Sequence, residues 1–75
     1  MTLIDLKPSQ VGIIEDLDGD SHFTSRLMEM GFSKGRKIRM IKKMPYHGPV
    51  TIQIRNGMIS LRELDAWQIK IKLDG

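Results

Sequence analysis

Residues 50–61 read VTIQIRNGMISL. Val50, Ile52 and Ile54 alternate with Thr51, Gln53 and Arg55, and after Asn56-Gly57 the returning run places Ile59 and Leu61 on the same side. A period of two is that of a half-buried strand. Asn and Gly tolerate positive φ, so the pattern predicts a hairpin with Asn56 and Gly57 at the centre of a type I′ turn. An isolated hairpin is marginal in water, so the rest of the chain must supply strands that cover the apolar face.

Three further runs qualify. Val11, Ile13, Glu15 and Leu17 alternate with Gly12, Ile14, Asp16 and Asp18. Residues 37–43 carry Ile38 and Met40 inward with Lys37 and Arg39 outward, and the slip at Ile41-Lys42-Lys43 suggests a bulge. Ile69, Ile71 and Leu73 alternate with Gln68, Lys70 and Lys72. Residues 21–30 form the one helix: Asp20 or Ser21 caps its start, and Phe23, Leu27 and Met30 recur at helical spacing. Gly31 follows as a left-handed C-cap, Ser33-Lys34-Gly35 reads as a turn, and residues 64–67 as a turn or 3₁₀ segment. Met28, Met30 and Met40 read as core fillers, and Trp67 as core or barrel closure.

Seventy-five residues make one domain, 1–75, and the absence of cysteine removes disulfides and zinc–cysteine sites as staples. The expected architecture is mainly β with one helix: a small five-stranded SH3-like barrel, with the helix inserted after the first strand. An SH3-like barrel fits this element order and length better than an OB-fold, and closing the sheet removes exposed edges. No leader pattern or membrane-length apolar run is visible, so a soluble cytoplasmic protein is expected.

Charge divides the chain. Residues 1–32 hold two basic and six acidic groups, a net of −4, whereas residues 33–75 hold ten and three, a net of +7. The basic half suits an acidic protein face, a membrane surface, nucleic acid, or solvent alone. Nucleic acid is not expected, because single-strand binders interleave aromatics with the charge and only Phe32 and Tyr46 lie near it.

Catalytic residue types are sparse. No serine stands in a nucleophile motif, and Ser21 and His22 are helix neighbours that do not face one another. "GFSKGRK" has three residues between its glycines, where a phosphate-binding loop needs four, and lacks the hydroxyl residue after the lysine. Asp16, Asp18 and Asp20 share the first spacings of a calcium loop, but the glycine and the terminal glutamate are misplaced. The expectation is therefore no enzyme and no required cofactor; a divalent transition metal would be held weakly, through His22 or His47.

The run Arg26-Leu27-x-Glu29-x-Gly31-x-x-x-Gly35, the later MPYHGPVTIQIRNGMISLRELDAWQIKI and the opening TLIDLKPSQVGII together resemble the FeoA family, the ferrous iron transport proteins A. The resemblance covers nearly the whole chain. It implies an SH3-like barrel of the kind also found at the C-terminus of diphtheria-toxin-repressor-type iron regulators. It also implies a cytoplasmic accessory protein of ferrous iron uptake, whose partner is the membrane permease FeoB with its GTPase domain. Membrane insertion is not implied, and self-association stays open. Where the family's loop commonly reads Pro-Leu-Gly-Asp-Pro, this chain has Pro45-Tyr46-His47-Gly48-Pro49. The expected partner surface comprises Arg39, Lys42, Lys43, Met44, Tyr46 and His47, with Arg26 and Arg62, and Gly48 is expected to make the turn that lets Tyr46 and His47 project. A metal-responsive module and a basic nucleic-acid-binding barrel are the competing readings.

Overall fold

The computed structural model describes residues 1–74. Five strands, β1 (Val11–Leu17), β2 (Lys37–Lys43), β3 (Val50–Ile54), β4 (Gly57–Leu61) and β5 (Ile69–Leu73), form one antiparallel sheet in the order β4-β3-β2-β1-β5. The main helix α1 (Ser21–Glu29) follows β1, a four-residue helix α2 (Glu63–Ala66) joins β4 to β5, and a 3₁₀ turn (Leu3–Asp5) precedes β1.

Each element follows from local chemistry. Asp20 caps α1 by accepting from the Phe23 N–H at 2.8 Å, a contact worth about 1 kcal/mol. The helix ends in a Schellman arrangement: Phe32 N–H donates to the Leu27 carbonyl, Gly31 N–H donates to that of Met28, and Gly31 holds φ at 103°. This turns Phe32 back into the interior, where it is fully buried. Gly35, at φ 85°, makes the next turn and donates its N–H to the Ile14 carbonyl. The slip in β2 is a register shift between Met40 and Lys42, as its pattern suggested.

One apolar cluster fills the concave side of the sheet. Ile14, Ile38, Met40, Val50, Ile52, Ile54, Leu61, Ile69 and Ile71 enter it from the strands, Leu27 from α1, Phe32 from the loop after it, Ala66 from α2, and Leu3 and Leu6 from the N-terminal segment. Side chains from both edge strands, β4 and β5, thus share one core, as expected of a barrel-like sheet.

Several expectations are corrected. The hairpin turn is Arg55-Asn56, one residue earlier than the sequence suggests. Ile54 pairs with Gly57, Arg55 carries the positive φ (55°), and Gly57 is the first residue of β4. The change moves the pairing by two residues, so Ile59 and Leu61 stay on the face of Ile52 and Ile54 and the buried face is the same with either turn. Of the three methionines read as core, only Met40 is buried; Met28 is exposed on α1, and Met30, just past its end, is exposed where it borders the hollow between α1 and β4. Trp67, at the end of α2, is 48% exposed. Leu73 is exposed as well, where β5 runs past the core.

Two glycine substitutions separate packing from pattern. A Cβ on Gly12 would lie 2.9 Å from Ile71 Cδ1 and 3.3 Å from both Leu6 Cδ1 and the Lys72 carbonyl oxygen, whereas one on Gly57 would meet nothing within 4 Å. Gly12→Val is expected to cost about 1–3 kcal/mol, a fall of roughly 4–8 °C in thermal midpoint per kcal/mol. Gly57→Val should stay within about 0.5 kcal/mol of the parent. Thermal melts of the two variants check both.

Candidate functional site

The loop between β2 and β3 is the most unusual backbone in the molecule. Pro45, Tyr46 and His47 form a tight turn closed by Gly48 N–H donating to the Pro45 carbonyl, and Met44 N–H reaches across to the Pro49 carbonyl. Tyr46 and His47 sit at φ 58° and 60°, consecutive left-handed positions that cost a residue with a Cβ about 1–2 kcal/mol each. Gly48 has no positive φ. Its role is close approach, since a Cβ there would come within 2.7 Å of Met44 Cβ. Gly48 thus takes part in the turn that lets Tyr46 project, through its N–H and its missing Cβ, while the left-handed positions fall on the tyrosine and histidine.

The consequence is a fixed, outward-pointing aromatic. Tyr46 is 96% exposed and lies outside the core, which excludes packing across the rim as its role. His47 Nδ1 lies 3.0 Å from Glu63 Oε1 and 3.2 Å from Oε2, so the loop tip is tied to the first residue of α2.

Around α2 the surface is concave in three connected places. His47 and Pro49 border one with Arg62, Glu63 and Leu64. Leu64 continues into a second with Phe23, Asp20 and Gln68. Arg62 and Asp65 continue into a third, of about 240 Å³, against Phe23, Arg26, Leu27 and Met30 of α1 and the tail of β4. Arg62 spans two of them and reaches Asp65 through Nε at 3.3 Å and through its terminal nitrogen at 3.4 Å. Leu64, 74% exposed, stands between them and is the contact that sequence reading missed. Its offset of two from Ala66 was the available clue: on a short helix that buries Ala66, Leu64 faces away.

The fold brings together only part of the expected surface. His47 and Arg62 border one hollow and Arg62 and Arg26 another, while Tyr46 projects into solvent next to His47 and borders neither. Met44 is exposed at the base of the loop. Lys42 and Lys43 are exposed at the end of β2, and Lys43 Nζ donates to the Ile4 carbonyl. Arg39 belongs to a separate basic hollow with Lys37, Gln53 and Arg55, and donates to the Ser9 carbonyl at 3.1 Å. His22 is exposed on α1, on a different element from His47. Among the described residues no three His, Cys, Asp or Glu side chains converge as metal ligands, and no helix is long and apolar enough to cross a membrane.

The FeoA domain family model matches residues 1–73. The chain belongs to the FeoA family. A Porphyromonas gingivalis Fe(2+) transport protein A/Fe(2+) transporter FeoB fusion protein is 33% identical over 73 residues, which is 97% of this chain and 9% of that protein. The solution structure of iron(II) transport protein A from Clostridium thermocellum is 29% identical with a TM-score of 0.90, over 97% of this chain and 45% of that one. FeoA of Stenotrophomonas maltophilia complexed with zinc, described as a prokaryotic SH3 domain protein, is 28% identical with a TM-score of 0.82, over 96% and 89%. The regulator ScaR, at 19% identity and a TM-score of 0.84, shares the fold alone. The SH3-like architecture expected from the sequence is therefore the FeoA fold.

The left-handed strain at Tyr46 is directly measurable. Tyr46→Gly removes the Cβ penalty without losing buried contacts, so it should raise stability by about 1 kcal/mol. A denaturant melt with unchanged slope and a higher midpoint is the expected result.

Proposed function

We propose that this chain is an accessory module of ferrous iron uptake that binds the cytoplasmic portion of a FeoB-type permease through the Tyr46–His47 loop and the adjoining α2 surface. The observation that carries the reading is the Porphyromonas gingivalis fusion, in which a sequence similar to this one is joined covalently to FeoB. Covalent joining of two modules replaces an association that separate chains must make for themselves.

The geometry supports a binding role. Tyrosine and arginine are enriched among the residues that dominate interfaces, and here Arg62 and His47 border the same hollow as the exposed Leu64, with the exposed Tyr46 adjoining His47 in the loop. The loop is held by two backbone bonds and by the His47–Glu63 pair before any partner arrives. Less ordering entropy then opposes association. Lys42 and Lys43 add positive charge beside the loop, which speeds encounter with an acidic face more than it tightens the complex. The module works at the inner face of the membrane through this partner, without catalysis and without a tightly held metal.

Tyr46→Ala combined with His47→Ala should leave the thermal midpoint within about 4 °C, because neither side chain is buried. It should weaken binding to the permease's cytoplasmic portion at least about tenfold. Equal affinity for variant and parent would move the interface elsewhere, and no binding by either protein would remove the permease as partner. Charge reversal at Lys42 and Lys43 should lower the association rate, and added salt should imitate it. Exhaustive chelation should leave the melting curve unchanged; loss of the folded spectrum would establish a structural metal.

A further inference from the structure

The two edges of the sheet are treated differently. On the outer side of β5, the Ile71 N–H donates to the Met1 carbonyl and Thr2 bridges Lys70, while Lys70 and Lys72 add charge along the strand. That edge is covered and charged, two common protections against strand pairing. The β4 edge has neither. Gly57-Met58-Ile59-Ser60-Leu61 contains no charge and no proline, and it pairs with β3 without a bulge.

Which of its peptide groups face outward follows from the ladder. Met40 N–H donates to the Gln10 carbonyl on the β1 side, so the neighbouring Arg39 backbone faces β3. Arg39 pairs with Gln53 and Gln53 with Met58, so Gln53 bonds toward β2 and Met58 is left facing outward. Ser60, two residues on, faces the same way. The N–H and C=O groups of both have no partner among the described residues.

This open edge borders the groove of about 240 Å³ against α1. Leu61, Leu27 and Phe23 make an apolar floor, and Arg26 and Arg62 stand at the rim. Arg26 has no ion pair among the described residues. The volume is below the range of small-molecule pockets, but it accommodates an apolar side chain. An unprotected strand edge facing a helix across an apolar groove is the arrangement used for strand addition.

We propose that β4 and α1 together receive an extended segment of a partner protein as a sixth strand, with alternate apolar side chains over the Phe23–Leu27–Leu61 floor and carboxylates drawn to Arg26. Arg62 is paired with Asp65, which lines the same groove, so it is Arg26, unpaired among the described residues, that favours an acidic segment over a basic one. The site is separate from the Tyr46 loop except at Arg62, and it can be tested without the permease.

The probe is a capped peptide of three valine–glutamate repeats, titrated into the ¹⁵N-labelled protein at low salt. Saturable shifts are expected at the amides of Met58, Ser60, Phe23 and Arg26, and the valine–lysine counterpart should bind at least about fivefold more weakly. Ser60→Pro removes one outward donor and no ladder bond, so it should reduce affinity about fivefold or more with the fold retained. Should that variant not fold, N-methylation of the peptide decides. Methylating one alternate set of amides must abolish binding, and methylating the other must leave it. Equal effects of the two sets, or shifts confined to the Tyr46 loop or the Lys37–Arg39 hollow, would overturn the proposal. Concentration-dependent shifts at Met58 and Ser60 without peptide would assign the edge to a second copy of the chain and overturn it likewise.

Discussion

Everything in this molecule depends on burying a small set of aliphatic side chains from both ends of one bent sheet in a single cluster. No disulfide assists, and among the described residues the interior contains no charged side chain. In a chain of this size the apolar area removed from water is barely enough to offset the entropy of ordering the backbone. Each core element is therefore placed by an adjacent local device: the Asp20 cap, the Gly31 C-cap that returns Phe32, and Gly12, whose missing Cβ lets Leu6 and Ile71 close over β1.

Much of the fold was legible because these devices are short-range. The Asp20 and Gly31 caps announced α1, period-two alternation announced the strands, and the slip at Ile41-Lys42 announced the bulge. The errors differ in kind. Asn56-Gly57 is the stronger local turn former, yet Ile54 pairs with Gly57 and the turn falls at Arg55-Asn56. Met28, Met30 and Trp67 are apolar, but apolar type does not specify a side of the helix, and roughly half of any folded surface is apolar. The candidate site was half legible. Tyr46, His47 and Arg62 stand out by residue type, whereas Leu64 acquires significance only once α2 is seen to turn it outward.

The loop after β2 and the free edge of β4 illustrate two ways of departing from a stability optimum. The loop keeps two side-chain-bearing residues in backbone positions that suit glycine. In the loops it resembles, Pro-Leu-Gly-Asp-Pro, glycine falls where His47 stands, and in this chain Gly48 occupies the next position instead. The edge keeps unpaired peptide groups where a lysine or proline would blunt them. Features that lower stability without improving packing are the ones whose explanation lies outside the isolated fold.

The position of β1 has a consequence for how the protein is made. β1 pairs with β2 on one side and with β5 on the other, and β5 also holds Met1 and Thr2. The earliest and latest segments of residues 1–74 are thus neighbours in space. During synthesis β1 is made well before residues 69–73, and until then Ile14 lacks the partner strand that completes its burial. The emerging chain can form α1 and the β3–β4 hairpin early, since those contacts are local, but the full sheet awaits the last strand. Until that strand docks the protein exposes a flank of β1 as well as the edge of β4, and only the first is closed by the chain itself.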